Sequence, residues 1–235
     1  MAVTAVIAAA GSGERLGAGG PKAFVPLAGR PLIEWSLAAF RGCDCVEAVV
    51  VAAPPGREPE LGAGVRVVAG GATRAESVAN ALAAVETEVV AIHDAARPLL
   101  TSALVEALVA ALAAHPDAAA VIPAAPVTDT VKRTAPAAGT GTASTAEEAA
   151  SAALVVVGTE DRSTLWAAQT PQVFRTAALR AALEVDAATR DAATDEAMLV
   201  EAAGGTVLIH PSGPENLKVT TPHDLRLAEL LLADR

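Results

Sequence analysis

The sequence predicts an α/β fold in which helices flank a mostly parallel sheet. Short apolar runs alternate with stretches of helical periodicity, which is the pattern of βαβ units. The runs are apolar at consecutive positions, as in strands buried on both faces. Apolar residues make up 52% of the 235 residues and the mean hydropathy is +0.42, so the chain can form a sizeable core. This length suits a single domain, residues 1–235.

The first half of the chain contains five predicted strands and three predicted helices. Thr73 and Glu76 have the spacing of a capping box, which marks the start of the second helix. The predicted strands are residues 2–9, 46–53, 65–68, 89–93 and 119–123, and the predicted helices are residues 32–40, 74–85 and 102–114.

The pattern changes after Val127 and resumes near Leu154. Residues 135–153 are rich in Ala, Thr, Gly and Ser, which is typical of a loop or linker. The closing helix begins at Pro222, with Thr221 as its cap and Asp224 in its first turn. The other predicted elements are strands at 154–157, 206–209 and 217–220 and helices near 175–185 and 195–203.

Composition excludes several classes of protein. The net charge is −10 and aromatic residues are 2% of the chain, so neither a basic surface nor a stacking platform for nucleic acid is expected. No apolar run approaches the roughly 18 residues of a membrane span. The apolar start has no basic residue before Arg15, unlike a signal peptide. The spacing of Cys43 and Cys45 predicts two free thiols. We therefore expect a cytoplasmic protein that binds neither nucleic acid nor membrane.

The stretch VIAAAGSGERLGAGGPKAF places a glycine-rich loop directly after the first strand. Gly11, Gly13 and Gly17 give G-x-G-x-x-x-G, one residue too long for the dinucleotide fingerprint. Lys22 follows Pro21 and not a glycine, so the Walker A pattern also fails. The late third glycine counts against a nicotinamide oxidoreductase.

The same loop nevertheless has the parts of a phosphate site. It follows the carboxyl end of a strand, where open α/β sheets bind ligands, and its glycines allow backbone N–H groups to approach phosphate oxygens. Arg15 offers a fork of donors, and Lys22 is one of three lysines among 17 basic residues. The alternative is an ordinary flexible loop with two solvated charges.

Two further motifs accompany predicted strands. In HDAARP, Asp94 can orient a metal-bound phosphate or hold a cationic side chain; alternatively it caps a turn and pairs with Arg97. In GGATRAESV, backbone amides near Gly70 and the Ser77 hydroxyl can recognise a base or ribose. A simple helix start is the competing interpretation of that second motif.

Seven motifs in order resemble the 2-C-methyl-D-erythritol 4-phosphate cytidylyltransferase family: AAAGSGERLGAGGPKAF, GGATRAESV, HDAARP, PVTDTVKR, QTPQVF, TDEAML and NLKVTTPHDL. The resemblance covers residues 3–230. It implies a Rossmann-like nucleotidyltransferase fold with a projecting dimerisation arm at about 127–161, and hence a homodimer. It also implies that CTP and a polyol phosphate are the substrates, that Mg²⁺ or another divalent cation is the cofactor, and that pyrophosphate is released.

The resemblance also implies roles for individual residues. Arg15 and Lys22 would stabilise the transition state, and Arg162 and Lys218 would position the acceptor phosphate. Acceptor contacts would come from Arg97, from Thr194 and from Thr130 on the partner's arm. The residues expected at the nucleotide are Ala9, Ala10, Gly11, Gly13, Gly70, Ser77 and Asp94, with Asp94 also a candidate metal ligand.

Alternatives stay open for several of these residues. Thr194 can be a helix cap, Arg162 a solvated charge, and Lys218 a partner of Asp224. The sequence departs from the family at Ala23, where glutamine is usual, and in a longer arm. Two other functions compete: a cytidylyltransferase for another polyol phosphate, such as ribitol 5-phosphate, and a non-catalytic nucleotide-binding regulator.

Overall fold

A mixed sheet forms the centre of the larger of two units, which comprises Met1–Ala124 and Ala168–Arg235. The computed structural model describes residues 1–11, 13, 16, 20–57, 61–137 and 153–234. In chain order the strands are β1 (Val3–Ala8), β2 (Pro26–Leu27), β3 (Arg30–Pro31), β4 (Val46–Ala53), β5 (Val65–Ala69), β6 (Val89–Asp94), β7 (Ala120–Pro126), β8 (Lys132–Pro136), β9 (Leu154–Thr159), β10 (Trp166–Ala168), β11 (Gln172–Arg175) and β12 (Val207–Pro211). The α-helices are α1 (Leu32–Arg41), α2 (Arg74–Leu82), α3 (Ser102–Ala114), α4 (Thr176–Ala182), α5 (Ala187–Ala192), α6 (Glu196–Ala202) and α7 (Pro222–Ala233).

The sheet of the larger unit has the strand order β12-β7-β11-β6-β1-β4-β5. β1 pairs in parallel with both β4 and β6, and its last residue, Ala8, lies opposite Ala52 and Asp94. β11 runs antiparallel to β6 and β7 on either side of it. The loops that follow β1 and β6 therefore emerge side by side at one edge of the sheet.

Alternate residues of β1 enter two different cores, which explains its unbroken apolar run. Ala5 and Ile7 pack in the cluster that includes α1 and α3, while Val6 packs in the cluster that includes α2, α4 and α6. All three side chains are fully buried. The fold class predicted from the sequence is thus confirmed: a mostly parallel sheet with flanking helices.

Several details of the larger unit differ from the prediction; β2, β3 and α5, for example, were not predicted. Residues 217–220 are not a strand; the segment makes one backbone bond, from the Val219 N–H to the Ala96 carbonyl at 2.8 Å, and no ladder. β11, which begins inside the QTPQVF motif, was not predicted as a strand. The closing helix begins as predicted, because Thr221 and Asp224 form a capping box with Pro222 in the first turn.

The smaller unit is Ala125–Ala167, which includes the predicted arm. Within it, β8 and β9 form an antiparallel hairpin with Lys132 opposite Thr159. Most of the Ala/Thr/Gly-rich insert, residues 138–152, lies outside the described residues. Over the part of the chain that the structure describes, no helix is long and apolar enough to cross a membrane.

Candidate active site

A cavity of about 560 Å³ opens in the larger unit beside the carboxyl ends of β1 and β6. The loop before α2 and the segment around Lys218 also line it, so four segments that are distant in sequence meet there. This is the edge at which open parallel sheets bind ligands. Eight of the predicted site residues line it: Ala9, Ala10, Gly11, Gly13, Lys22, Ser77, Asp94 and Lys218.

The opening loop folds back so that Lys22 lies against its beginning. The Lys22 N–H donates to the Gly11 carbonyl at 3.2 Å. Gly13 has φ of +75°, and a Cβ there would lie 2.8 Å from the Lys22 Cβ, so a larger residue fits neither the backbone nor the space. Ala23, the departure from the family, is buried. Arg15 lies outside the described residues.

The second loop, before α2, is held by Ser77. Its hydroxyl accepts from the Gly71 N–H at 3.0 Å and donates to the Thr73 carbonyl at 2.9 Å. Gly71 lines the cavity, whereas Gly70 does not. A Cβ on Gly70 would lie 2.3 Å from the Ala10 Cβ, so this glycine allows the first and second loops to pack together.

Asp94 is the centre of the site's charges. Its Oδ1 accepts from Arg74 Nε at 2.8 Å, and its Oδ2 lies 2.6 Å from Lys218 Nζ. Burial opposes ionisation, but the positive charges of Arg74 and Lys218 outweigh it and hold the pKa of Asp94 well below its usual range. Asp94 therefore remains a carboxylate, and Lys218 pairs with it and not with Asp224.

Arg74 bridges Asp94 to a second carboxylate. Its Nη1 donates to both oxygens of Glu196, at 2.7 and 2.8 Å, and Glu196 is 1% exposed. Burial raises the pKa of Glu196 in spite of the neighbouring guanidinium. Burial disfavours the charged form of Arg74. The negative charges of Asp94 and Glu196 outweigh this effect and raise the pKa of Arg74.

His93, the residue before Asp94, fixes the end of β6. The Asp94 N–H donates to Thr170 Oγ1 at 3.0 Å, and that hydroxyl lies 3.1 Å from His93 Nδ1. Burial lowers the pKa of His93 to about 3, so the ring is neutral near pH 7. We infer that the Thr170 hydroxyl donates to Nδ1, which leaves the proton on Nε2 facing the Arg97 carbonyl at 3.2 Å.

Arg97 holds the segment that carries Lys218. Its guanidinium donates to the Asn216 carbonyl at 2.6 Å and to the Ala168 carbonyl at 3.3 Å. Asn216 in turn donates to the Thr170 carbonyl at 2.8 Å. Arg97 is therefore not the ion-pair partner of Asp94, and it does not line the cavity.

Three further predicted acceptor residues are not among those that line the cavity. Thr130 and Arg162 belong to the smaller unit, where Arg162 donates to the Thr128 carbonyl. Thr194 is in the larger unit and its side chain is exposed. The cap of α6 is Asp195, whose carboxylate accepts from the Met198 N–H at 3.0 Å, so Thr194 does not have that role.

Sequence reasoning missed Arg74, Glu196 and the positioning role of His93. All three lie inside the quoted motifs GGATRAESV, TDEAML and HDAARP. Arg74 and Glu196 are each the first residue of a helix, a position that is normally solvent-exposed and therefore gave no signal of an ion pair. Their pairing is visible only in the contact that they make across 122 positions in the sequence.

The mostly parallel sheet, the glycine-rich loop after β1 and the lysine-lined cavity are typical of an α/β protein that binds a phosphorylated ligand. A sequence profile described as IspD, 2-C-methyl-D-erythritol 4-phosphate cytidylyltransferase, matches residues 3–234. The chain belongs to this family.

Individual relatives agree with the family profile. The chain is 42% identical to the 2-C-methyl-D-erythritol 4-phosphate cytidylyltransferase of Symbiobacterium thermophilum, covering 99% of this chain and 93% of the relative. It is 45% identical to the enzyme of the same description from Frankia casuarinae, covering 98% and 81%. A crystal structure of the Thermus thermophilus enzyme superposes with a TM-score of 0.77 at 37% identity, covering 99% of this chain and all of that one.

Proposed function

We propose that this chain transfers CMP from CTP to 2-C-methyl-D-erythritol 4-phosphate and releases pyrophosphate. The observation that carries the proposal is the cavity in which the glycine-rich loop, Lys22 and Lys218 meet. Family membership supplies the donor and the acceptor. Four cationic side chains act in this proposal: Arg15, Lys22, Arg162 and Lys218.

The acceptor phosphate is the nucleophile. One of its oxygens forms a bond to the α-phosphorus of CTP while the bond from that phosphorus to the bridging oxygen breaks, and pyrophosphate leaves with the electron pair. A phosphate dianion needs little help from a general base, so the main obstacle is repulsion between two anions. Catalysis then consists of positioning and charge neutralisation. Lys218 holds the acceptor, while Arg15, Lys22 and the loop amides take up charge on the α-phosphate.

A divalent cation fits this cavity if the nucleotide supplies most of its ligands. Asp94 is the one carboxylate among the described lining residues, and the described ranges contain no cluster of three or more His, Cys, Asp or Glu. Mg²⁺ commonly binds through one or two carboxylates, substrate phosphates and water. Because both oxygens of Asp94 are paired with cationic side chains, we propose that the nucleotide phosphates would hold Mg²⁺, that Asp94 would at most contact its bound water, and that the ion would neutralise phosphate charge.

Pyrophosphate release tests the reaction. The protein is incubated with CTP and Mg²⁺ and with 2-C-methyl-D-erythritol 4-phosphate, ribitol 5-phosphate or no acceptor. We expect release with the first acceptor only, and loss of release when EDTA removes the metal. Release only with ribitol 5-phosphate would support the alternative, a cytidylyltransferase that acts on that polyol phosphate. CTP binding without release from either acceptor would favour a regulator.

We also propose that the hairpin of the smaller unit forms a homodimer. Leu154, Val155, Val156 and Val157 on β9 are each at least half exposed, although they are large and apolar. Four such residues in succession cannot all be buried by a two-stranded hairpin alone, so a second copy is the partner we expect. Thr130 would then serve the partner's acceptor, as the family resemblance predicts. A cytoplasmic location also remains a prediction.

The double variant Val155→Asp, Val157→Asp is expected to be monomeric. Two carboxylates on one face of β9 would have to be desolvated in the interface. Light scattering after size exclusion should show a mass near 23.4 kDa for the variant and twice that for the wild type. Leu230→Asp places the same charge on another exposed apolar residue and should leave the dimer intact. A dimeric double variant would contradict the proposal.

A further inference from the structure

Glu196 is a buried charged group that the reaction scheme above does not use. Its carboxylate is 1% exposed, and its hydrogen-bond partner in the structure is Arg74. Burying a carboxylate is costly unless it is paired, so the chain maintains this pair against a penalty.

The donors of Arg74 are divided between two carboxylates. Nη1 goes to Glu196, and Nε goes to Oδ1 of Asp94 at 2.8 Å. Oδ2 of Asp94 is thereby left to Lys218, at 2.6 Å. The four side chains carry two positive and two negative charges, which balance.

A guanidinium that is not held elsewhere binds both oxygens of a carboxylate at once, because its donors form a fork of matching geometry. The ammonium group of a lysine is a compact charge and cannot form this two-pronged contact with a carboxylate. Without Glu196, Arg74 would therefore turn onto both oxygens of Asp94 and displace Lys218.

We propose that Glu196 is a positioning residue that holds Arg74 on one oxygen of Asp94 and so keeps the other oxygen for Lys218. Glu196 is the first residue of α6, so this helix determines through Arg74 that the Lys218 ammonium group lies at Oδ2 of Asp94. The consequence for catalysis rests on the proposed function, because it assigns Lys218 to the acceptor phosphate. The placement of Lys218 does not depend on that assignment.

Lysine acylation tests the placement without any substrate. The protein is treated briefly with an N-hydroxysuccinimide ester of acetate, and acetylation of Lys218 is measured by mass spectrometry relative to Lys132. Glu196→Gln should raise this ratio at least about threefold, since its amide holds Arg74 less firmly than a carboxylate does. Glu201→Gln, the same change at an exposed position of α6, should leave it unchanged.

Removing Arg74, which competes with Lys218 for Asp94, should reverse the increase in Lys218 acetylation. In Glu196→Gln with Arg74→Met no guanidinium remains, so Lys218 keeps Asp94 and its labelling should return to the wild-type ratio. A merely structural role for Glu196 would not predict this return. If Glu196→Gln does not fold, Glu196→Asp, which withdraws the carboxylate, should raise labelling in the same direction. An unchanged ratio in the folded single variant, or a raised ratio in the double variant, would overturn the proposal.

Kinetics connect the placement to the reaction. Glu196→Gln should raise the KM for the acceptor by about tenfold, and the double variant should restore much of it. Failure of the wild type to turn over would reject the proposed function alone. Wild-type turnover combined with unaltered Lys218 labelling in Glu196→Gln would reject the positioning role alone.

Discussion

Replacing Lys22 with alanine is expected to lower kcat by about 10²–10³, or roughly 3–4 kcal/mol, as loss of one oxyanion donor does in other enzymes. Lys22 lines the cavity at the point where the opening loop folds back on Gly11 and Gly13. Its charge would oppose the negative charge that develops as the α-phosphate is attacked. Because this charge is greatest in the transition state, kcat should fall more than substrate binding does.

The measurement is steady-state pyrophosphate release at saturating CTP and acceptor. Lys22→Arg keeps a cation and should retain more activity than Lys22→Ala. Arg66→Ala removes an exposed cation from β5, outside the cavity, and should leave kcat unchanged. Arg15→Ala is expected to resemble Lys22→Ala. A kcat near the wild-type value in both Lys22→Ala and Arg15→Ala would reject their assignment to the transition state.

The parts of the fold that the sequence predicted are those set by local patterns. β1 could be predicted because both its faces are buried, which makes its sequence continuously apolar. The glycine-rich loop could be recognised as a candidate phosphate site because glycines and two cations follow that strand directly. α7 was readable because its cap, Thr221, its proline and Asp224 are adjacent in sequence.

The parts that escaped prediction depend on contacts between distant segments. β11 is a strand of four residues whose place between β6 and β7 comes from pairing on both sides, which no local pattern encodes. Arg97 looked like a partner for nearby Asp94, yet it binds the Asn216 carbonyl 119 positions away. Asp94 instead pairs with Arg74 and Lys218, whose approach follows from the sheet topology.

The family resemblance extended the prediction further than the residues alone did. It singled out Lys218, for which spacing gave no better partner than Asp224. In the structure both backbone N–H groups of Thr220 and Thr221 donate to one oxygen of Asp224, at 2.8 Å each, so this carboxylate serves the helix cap. Lys218 lines the cavity instead and pairs there with Asp94, while its role at the acceptor phosphate stays a prediction.

Replacing Lys218 with alanine is expected to lower kcat/KM for the acceptor by about 10²–10³. The side chain is 43% exposed and lies 2.6 Å from Asp94, so it combines access to a ligand with a fixed position. In the proposed role, its loss would remove a charge-assisted hydrogen bond to the acceptor phosphate, and it would also leave the buried Asp94 carboxylate with one cation fewer. Both effects oppose binding of an anion, so the KM for the acceptor should rise.

The initial rate is measured against acceptor concentration at saturating CTP, and CTP affinity is measured separately by calorimetry without acceptor. The acceptor KM should change far more than the CTP dissociation constant, because the proposed role of Lys218 concerns the acceptor. Arg226→Ala, which removes an exposed cation from α7, should alter neither quantity. If Lys218→Ala weakens CTP binding as much as it raises the acceptor KM, Lys218 belongs to the nucleotide site, and the acceptor phosphate is held by other residues.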